Sequence, residues 1–180
     1  MSPDPGPDLG LASRVREAAL LEGDIVLSSG KRSRFYVDKY LFSTEPGLLG
    51  ELARALSARL PEGTGRLAGV ELGAVSLVTA VSLHEGIPFC IVRKSAKDYG
   101  TANKIEGQAL RAGERVVLIE DVVTTGSQVL RAAATLEEAG AEVSGIVAVL
   151  DRRDEKSARL GGYPFGAVLR LENLGITSGH

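Results

Sequence analysis

An unbroken apolar run that ends in two acids constrains this chain more than any other feature. Residues 116–119 are all apolar, Glu120 and Asp121 follow them, and a short hydroxyl-rich loop leads into a helix-like pattern over 129–139. The order of apolar strand, polar loop and helix is typical of a parallel sheet with a binding site at the carboxyl end of the strand. The run therefore predicts an α/β fold.

The loop between that strand and that helix has the chemistry of a phosphate site. Thr124-Thr125-Gly126-Ser127 offers backbone N–H groups, three hydroxyls and a helix N-terminus, which together suit a phosphate monoester. The preceding acids suit a sugar, because carboxylates accept hydrogen bonds from ribose hydroxyls and help to place Mg²⁺. The alternative is an ordinary helix cap. A cap needs one polar residue, however, and this loop has several in succession.

Composition excludes several classes of function. The chain has 180 residues, enough for one domain with a real core, and its net charge of −2 gives no sign of nucleic acid binding. One cysteine and two histidines exclude an internal disulfide and a multi-histidine metal site. No apolar run reaches the length of a membrane span and no signal peptide is evident, so a cytoplasmic protein without membrane contacts is expected.

Strand and helix patterns alternate from residue 66 onward, which predicts a doubly wound, mainly parallel sheet. Strands are expected at 66–72, 87–94, 143–150 and, shorter, 167–171; helices are expected at 11–22, 46–60 and 74–84. Residues 1–10 read as a flexible tail, and 11–180 as a single domain. Within it, we expect a small N-terminal hood of about residues 11–45 together with the C-terminal strand, and a core of about residues 46–155.

A polar segment rich in cations follows the second core strand. Residues 95–107 predict a long mobile loop, with Arg93, Lys94, Lys97 and Lys104 in or beside it. Cations near a phosphate site can close over a pyrophosphate, offset its charge as it leaves, and exclude water. A solvated charged loop is the alternative, which the position one strand before the phosphate loop disfavours.

Residues 116–128 resemble the phosphoribosyl-pyrophosphate motif of the type I phosphoribosyltransferases, with Glu120 where Asp is common. Three other segments narrow the resemblance to the orotate phosphoribosyltransferases: residues 29–38, residues 93–100 and residues 150–152. The resemblance covers about residues 11–155. It implies transfer of a phosphoribosyl group from 5-phosphoribosyl 1-diphosphate (PRPP) to orotate.

The resemblance also implies roles for individual residues. Those that would contact the pyrophosphate of PRPP are Arg93, Lys94, Lys97 and Tyr99. Those that would hold the ribose hydroxyls are Glu120 and Asp121. Those that would wrap the 5′-phosphate are Val122, Val123, Thr124, Thr125, Gly126, Ser127 and Gln128. Those that would bind orotate are Thr124, Arg152, Tyr36 and Val37. Those that would contribute most to catalysis are Asp121, Lys94 and Lys97.

The same resemblance implies Mg²⁺ as cofactor, held mainly by PRPP and water with no direct protein ligand, and a homodimer with shared active sites. Two other functions stay open: a type I phosphoribosyltransferase acting on a purine or uracil, and a non-catalytic regulator that binds PRPP. Arg153, next to Arg152, has no assigned role, and its replacement is expected to be mild.

The chain departs from the family pattern in three places. Ser28 stands where some members have a lysine, and the stretch 71–74 lacks the Tyr-Lys pair that others carry. Tyr99 stands where histidine is common. The two missing lysines leave open which residues neutralise the pyrophosphate, and Lys31 and Mg²⁺ are the candidates.

Overall fold

The computed structural model describes residues 5–26, 30, 32–95 and 104–176. Their strands form two sheets, one of two strands near the N-terminus and one of seven strands. The predicted fold class is confirmed: the larger sheet is mainly parallel and has helices on both faces.

The N-terminal part forms the hood. Helix α1 spans Leu9–Ala19, and the chain then runs directly into β1, Leu20–Val26, which pairs antiparallel with β2, Arg32–Val37. The predicted helix over 11–22 is therefore too long at its end, because Leu20 pairs with Val37 and the residues after it join the strand. A short helix that the sequence analysis missed, α2 at Lys39–Ser43, follows an Asp38 cap.

The core elements follow in alternation. Their bounds are α3 Pro46–Ser57, β3 Arg66–Val70, α4 Val75–Glu85, β4 Phe89–Val92, β5 Ile105–Gly107, β6 Arg115–Val123, α5 Ser127–Glu138, β7 Glu142–Asp151, β8 Arg159–Leu160 and β9 Tyr163–Arg170. A 3₁₀ turn at Leu171–Leu174 ends the described part.

The strand order of the large sheet is β5-β4-β3-β6-β7-β9-β8. The five central strands are parallel, and β5 and β8 add antiparallel edges. Alternate residues of β6 pack on opposite faces: Val117 and Ile119 contact the cluster under α1, α3 and α4, while Val116 and Leu118 contact the cluster under α5. This two-sided burial is the reason that β6 is continuously apolar.

Two sequence expectations need correction. The C-terminal strand does not belong with the hood, because β9 pairs in parallel with β7 inside the large sheet. The segment expected as one loop over 95–107 ends in a strand, since residues 105–107 pair with β4. Residues 96–103 lie outside the described part of the chain. In the described part, no helix combines the length and the apolar character that crossing a membrane requires.

Candidate active site

The centre of the site is the turn between β6 and α5. It lines a cavity of about 270 Å³ whose walls include the whole stretch 120–129. The hydroxyls of Thr125 and Ser127 lie 2.9 Å apart, and the Ser127 N–H donates to Thr125 Oγ1 over 3.3 Å. Hydroxyls and the free N–H groups of a helix N-terminus thus converge at one end of the cavity, as a phosphate requires.

Gly126 gives this turn its shape. Its φ of 77° lies in the left-handed region, and a β-carbon there would lie 2.6 Å from Leu160 Cδ1. Both the backbone conformation and the contact with β8 therefore require glycine.

The two acids lie at the inner end of the cavity and are almost fully buried. Glu120 is 5% exposed and Asp121 is 2% exposed. Asp121 Oδ1 accepts the Val122 N–H over 2.6 Å, and Asp121 Oδ2 lies 2.7 Å from Lys39 Nζ. The carboxylate of Asp121 is therefore paired with a cation and held in a fixed orientation.

Glu120 has a different electrostatic state from its neighbour. Burial, followed by the charge of Asp121, raises the pKa of Glu120 to about 9. At neutral pH Glu120 is therefore an uncharged carboxyl group that can donate a hydrogen bond, whereas Asp121 carries the negative charge opposite Lys39. The pair offers a sugar one donor and one anionic acceptor.

The raised pKa predicts a pH-dependent stability. Folded Glu120 keeps its proton up to about pH 9, while in the unfolded chain it loses the proton near 4.5. Between these values the folded state binds more protons, so this group's contribution to stability falls as pH rises. We expect Glu120→Gln to be near neutral at about pH 5 and to stabilise by about 1 kcal/mol or more at about pH 8.5. Urea unfolding at both pH values measures the difference.

Glu138→Gln is the matched control, because the Glu138 side chain is exposed at the end of α5. The raised pKa of Glu120 is contradicted if the gain in the free energy of unfolding of Glu120→Gln does not increase with pH. It is also contradicted if the gain increases equally in Glu138→Gln.

Lys39 is a site residue that the sequence analysis missed. It lies at the start of α2, its side chain is 30% exposed, and it lines the same cavity as Asp121. Burial by itself lowers the pKa of Lys39, but the hydrogen bond and charge of Asp121 more than offset this, so the pKa is raised. The signal available in the sequence was indirect: two adjacent buried acids require a cation.

Arg152 leaves the end of β7 beside the phosphate loop, since its N–H donates to Val123 O over 2.8 Å. Its Cζ lies 6.0 Å from the ring centroid of Phe35, on the hood strand β2. Burial lowers the pKa of Arg152, and the neighbouring Tyr36 partly counteracts this. The Nε atom is buried and has no hydrogen-bond partner among the described residues. A half-buried guanidinium in this state suits an anionic ligand.

Arg153, to which the sequence analysis assigned no role, has a structural role. Its guanidinium grips the fully buried carboxylate of Asp151 with two hydrogen bonds of 2.9 and 3.1 Å, and it also donates to the backbone oxygens of Ser157 and Arg159. Arg170 Nη2 lies 3.1 Å from the same carboxylate. The expectation that replacing Arg153 is mild is therefore wrong, because a buried charge would lose its main partner.

The predicted pyrophosphate residues are only partly accounted for. Arg93 and Lys94 do not line the phosphate cavity; they line an adjoining groove of about 150 Å³ that shares Gln128 and Arg131 with it and also includes Lys104. The Lys94 N–H donates to Glu71 Oε1 over 2.6 Å, and Arg93 lies 3.6 Å from Glu106. Lys97, Tyr99 and Lys31 lie outside the described residues.

The predicted orotate residues lie on three elements, two of them in the hood strand β2 and the others after β6 and β7. Tyr36 and Val37 end β2 next to the Phe35 that faces Arg152, and Val37 is buried. Thr124 is exposed in the phosphate loop and follows Val123, which pairs in register with Asp151. Thr124 and Arg152 therefore come one residue after paired positions on adjacent strands. Phe35 is an addition that the sequence analysis did not assign.

No group of three or more histidine, cysteine, aspartate or glutamate side chains that suits a metal ion occurs within residues 5–26, 30, 32–95 and 104–176. The Asp121 carboxylate is a hard oxygen donor of the kind that Mg²⁺ accepts. It fits an ion that takes most of its ligands from a bound phosphorylated compound and water.

Comparison with known proteins identifies the family of this chain. The model of the family "Phosphoribosyl transferase domain" matches residues 48–165. Orotate phosphoribosyltransferase of Thermococcus gammatolerans is 46% identical over 166 residues, which is 89% of this chain and 87% of that protein. The orotate phosphoribosyltransferase of Nocardioides sp. is 46% identical over 145 residues, 81% and 80% of the two chains. The Mycobacterium tuberculosis orotate phosphoribosyltransferase, solved in complex with PRPP, is 31% identical with a TM-score of 0.73, covering 93% of this chain and 98% of that one.

Proposed function

The chain belongs to the phosphoribosyltransferase family and, within it, to the orotate phosphoribosyltransferases, and from this premise we propose how its site acts. The enzyme transfers the 5-phosphoribosyl group of PRPP to N1 of orotate. The products are orotidine 5′-monophosphate and diphosphate, a step of de novo pyrimidine biosynthesis.

The observation that carries the choice of base is the state of Arg152. Its guanidinium is half-buried over Phe35, and its buried Nε has no partner among the described residues. The carboxylate of orotate supplies the missing anion and can accept two hydrogen bonds from one guanidinium. Uracil and the purines lack that carboxylate, so they would leave the charge of Arg152 uncompensated. Thr124, Tyr36 and Val37 complete the orotate site.

The donor occupies the cavity between the two acids and the phosphate loop. The loop 122–128 binds the 5′-phosphate through N–H groups and hydroxyls. Glu120 and Asp121 hold the ribose hydroxyls, one as a neutral donor and the other as an anionic acceptor. Arg93, Lys94, Lys97 and Tyr99 bind the pyrophosphate. Lys94 and Lys97 also act in catalysis, because they offset the charge that develops on the leaving group.

Chemistry at the ribose needs no covalent intermediate. Orotate N1, after losing its proton to water, donates an electron pair to C1 of the ribose, and the electron pair of the C1–O bond leaves with pyrophosphate. Positive charge develops on the sugar while that bond breaks. We assign to the Asp121 carboxylate, which is fixed by Val122 N–H and Lys39, the role of favouring that charge.

We propose that Mg²⁺ is the cofactor and that it binds together with PRPP. The Asp121 carboxylate fits such an ion, and the donor and water would supply most of its ligands, since no cluster of three or more metal-binding side chains occurs in the described part of the chain. When bound, it neutralises part of the pyrophosphate charge.

Loss of orotate absorbance on addition of PRPP and Mg²⁺ tests the function. We expect turnover of orotate and none of uracil, adenine or hypoxanthine under the same conditions. Turnover of one of the other bases instead would assign the chain to a different phosphoribosyltransferase. Binding of PRPP without turnover of any base would favour the non-catalytic regulator.

We also propose a homodimer with shared active sites. The proposal rests on the family resemblance and on the finding that Arg93 and Lys94 do not line the phosphate cavity of their own chain, although the groove they line adjoins it. Lys97→Ala and Asp121→Asn then damage the same site from different chains. Co-refolding the two inactive variants should give half mixed dimers, each with one intact site, and so about a quarter of wild-type activity.

Refolding each variant alone is the control for that experiment. If mixed dimers form but activity stays at the level of the separate variants, the segment serves its own chain. A chain that sediments as a monomer would exclude the shared site directly.

A further inference from the structure

Lys39 brings a cation to the part of the site next to the loop 71–74. The loop 71–74 after β3 contains no lysine or arginine, and Ser28 is also uncharged. Lys39 Nζ lies 2.9 Å from the point where a β-carbon of Gly73 would lie. The ammonium group, carried by α2, therefore occupies the space directly against this loop. A lysine carried by the loop itself would also place its charge in this region.

Because Gly73 has no side chain, the Lys39 ammonium and the Asp121 carboxylate can pack directly against the backbone of the loop 71–74. A β-carbon at Gly73 would lie 1.5 Å from Asp121 Oδ2, closer than any non-bonded contact permits. The backbone of the loop, the Asp121 carboxylate and the Lys39 ammonium are thus packed as one unit. The space that Gly73 leaves open is therefore the space that the Lys39–Asp121 pair fills.

The geometry leaves Lys39 able to contact a donor. Its side chain is 30% exposed and lines the cavity, whereas its partner Asp121 is almost fully buried. A lysine ammonium has three N–H donors on a flexible stem, so one contact with Asp121 leaves two donors free. A pyrophosphate group entering the cavity carries far more negative charge than one carboxylate and competes for this cation.

We propose that Lys39 is a donor-binding residue that neutralises Asp121 in the free enzyme and contacts the pyrophosphate of the bound donor, supplying from α2 the positive charge that the loop 71–74 lacks. This role rests on the proposed function and assigns a residue to it. It also links two events: when pyrophosphate draws Lys39 toward itself, the negative charge of Asp121 is less compensated and acts more strongly on the sugar.

Calorimetric binding of inorganic pyrophosphate, at a fixed excess of Mg²⁺, tests this without any turnover. We expect Lys39→Met to weaken pyrophosphate binding about tenfold, and Lys39→Arg to keep most of the affinity because the charge is kept. Asp121→Asn should tighten pyrophosphate binding several-fold, because it frees Lys39 from its anionic partner. In Lys39→Met/Asp121→Asn most of that gain should vanish, since the freed cation is gone.

Lys156→Met is the matched control, because Lys156 also pairs with a carboxylate, that of Glu172 at 2.7 Å, but on an exposed surface. Its pyrophosphate affinity should equal that of the wild type. Urea unfolding of each variant shows whether it is folded at the assay temperature. If Lys39 is only a structural partner of Asp121, Lys39→Met lowers stability but leaves pyrophosphate affinity within twofold of wild type, which overturns the proposal.

The outcomes separate this inference from the proposed function. If the wild-type protein turns over orotate and Lys39→Met binds pyrophosphate as tightly as the wild type, only the role of Lys39 is refuted. Pyrophosphate binding that depends on Lys39, in a protein that turns over no orotate, refutes only the choice of base.

Discussion

Replacing Arg152 by alanine is expected to remove most use of orotate while leaving PRPP binding close to wild type. The guanidinium is half-buried, and orotate would provide the charged partner that its Nε lacks among the described residues. Losing one member of a desolvated, charge-assisted pair costs about 2–5 kcal/mol. That cost corresponds to a fall of about 30-fold to about 4,000-fold in kcat/KM for orotate. Steady-state kinetics with orotate varied, and calorimetry with PRPP, measure the two quantities.

Two further variants test whether the effect of Arg152→Ala is specific to the guanidinium of Arg152. Arg152→Lys keeps the charge but not the two-pronged geometry, so an intermediate loss is expected. Arg111→Ala is the control, since Arg111 is exposed and precedes β6, at the end of that strand opposite the acids. An unchanged kcat/KM for orotate in Arg152→Ala would refute the assignment of the carboxylate site. Arg153→Ala cannot serve as control, because Arg153 holds the buried Asp151.

Asp121→Asn is expected to lower kcat far more than it alters the KM for PRPP. The carboxylate is held by Val122 N–H and Lys39, and its charge matters most when positive charge develops on the sugar. Loss of one such fixed electrostatic group lowers kcat by roughly 100-fold. The measurement is kcat and the KM for PRPP at saturating orotate, compared with the wild type.

Asp154→Asn is the control for the acid, because Asp154 is exposed in the loop after β7. Its kinetic constants should match those of the wild type. If Asp121→Asn instead keeps kcat and raises only the KM for PRPP, Asp121 serves as a ribose anchor with no special role in the transition state.

The size of the effects expected for substitutions at Glu120 and Asp121 depends on how deeply these acids are buried, and that burial is created by several segments of the chain together. Asp121 and Glu120 differ in charge state although they are neighbours in one strand. The difference arises because burial and the charge of Asp121 raise the pKa of Glu120, while Lys39 forms its ion pair with Asp121. A substitution at either acid therefore acts on a three-residue unit, and double-mutant comparisons are needed to separate the contributions.

The sequence alone determined the parts of the site whose geometry is local. Strand β6 was predictable because both of its faces are buried, which requires a continuous apolar run. The phosphate loop was predictable because its hydroxyls, its glycine and the following helix are contiguous. The position of Arg152 followed from the end of β7 for the same reason.

Only the tertiary structure decided which distant segments meet. It placed Lys39 against Asp121, Phe35 over Arg152, and β9 beside β7 in the core sheet. It also gave Arg153 its role through the buried Asp151. These contacts depend on strand order and on how the hood packs against the carboxyl end of β7. Periodicity along the chain reports which faces are buried, but it carries no information on which partner buries them.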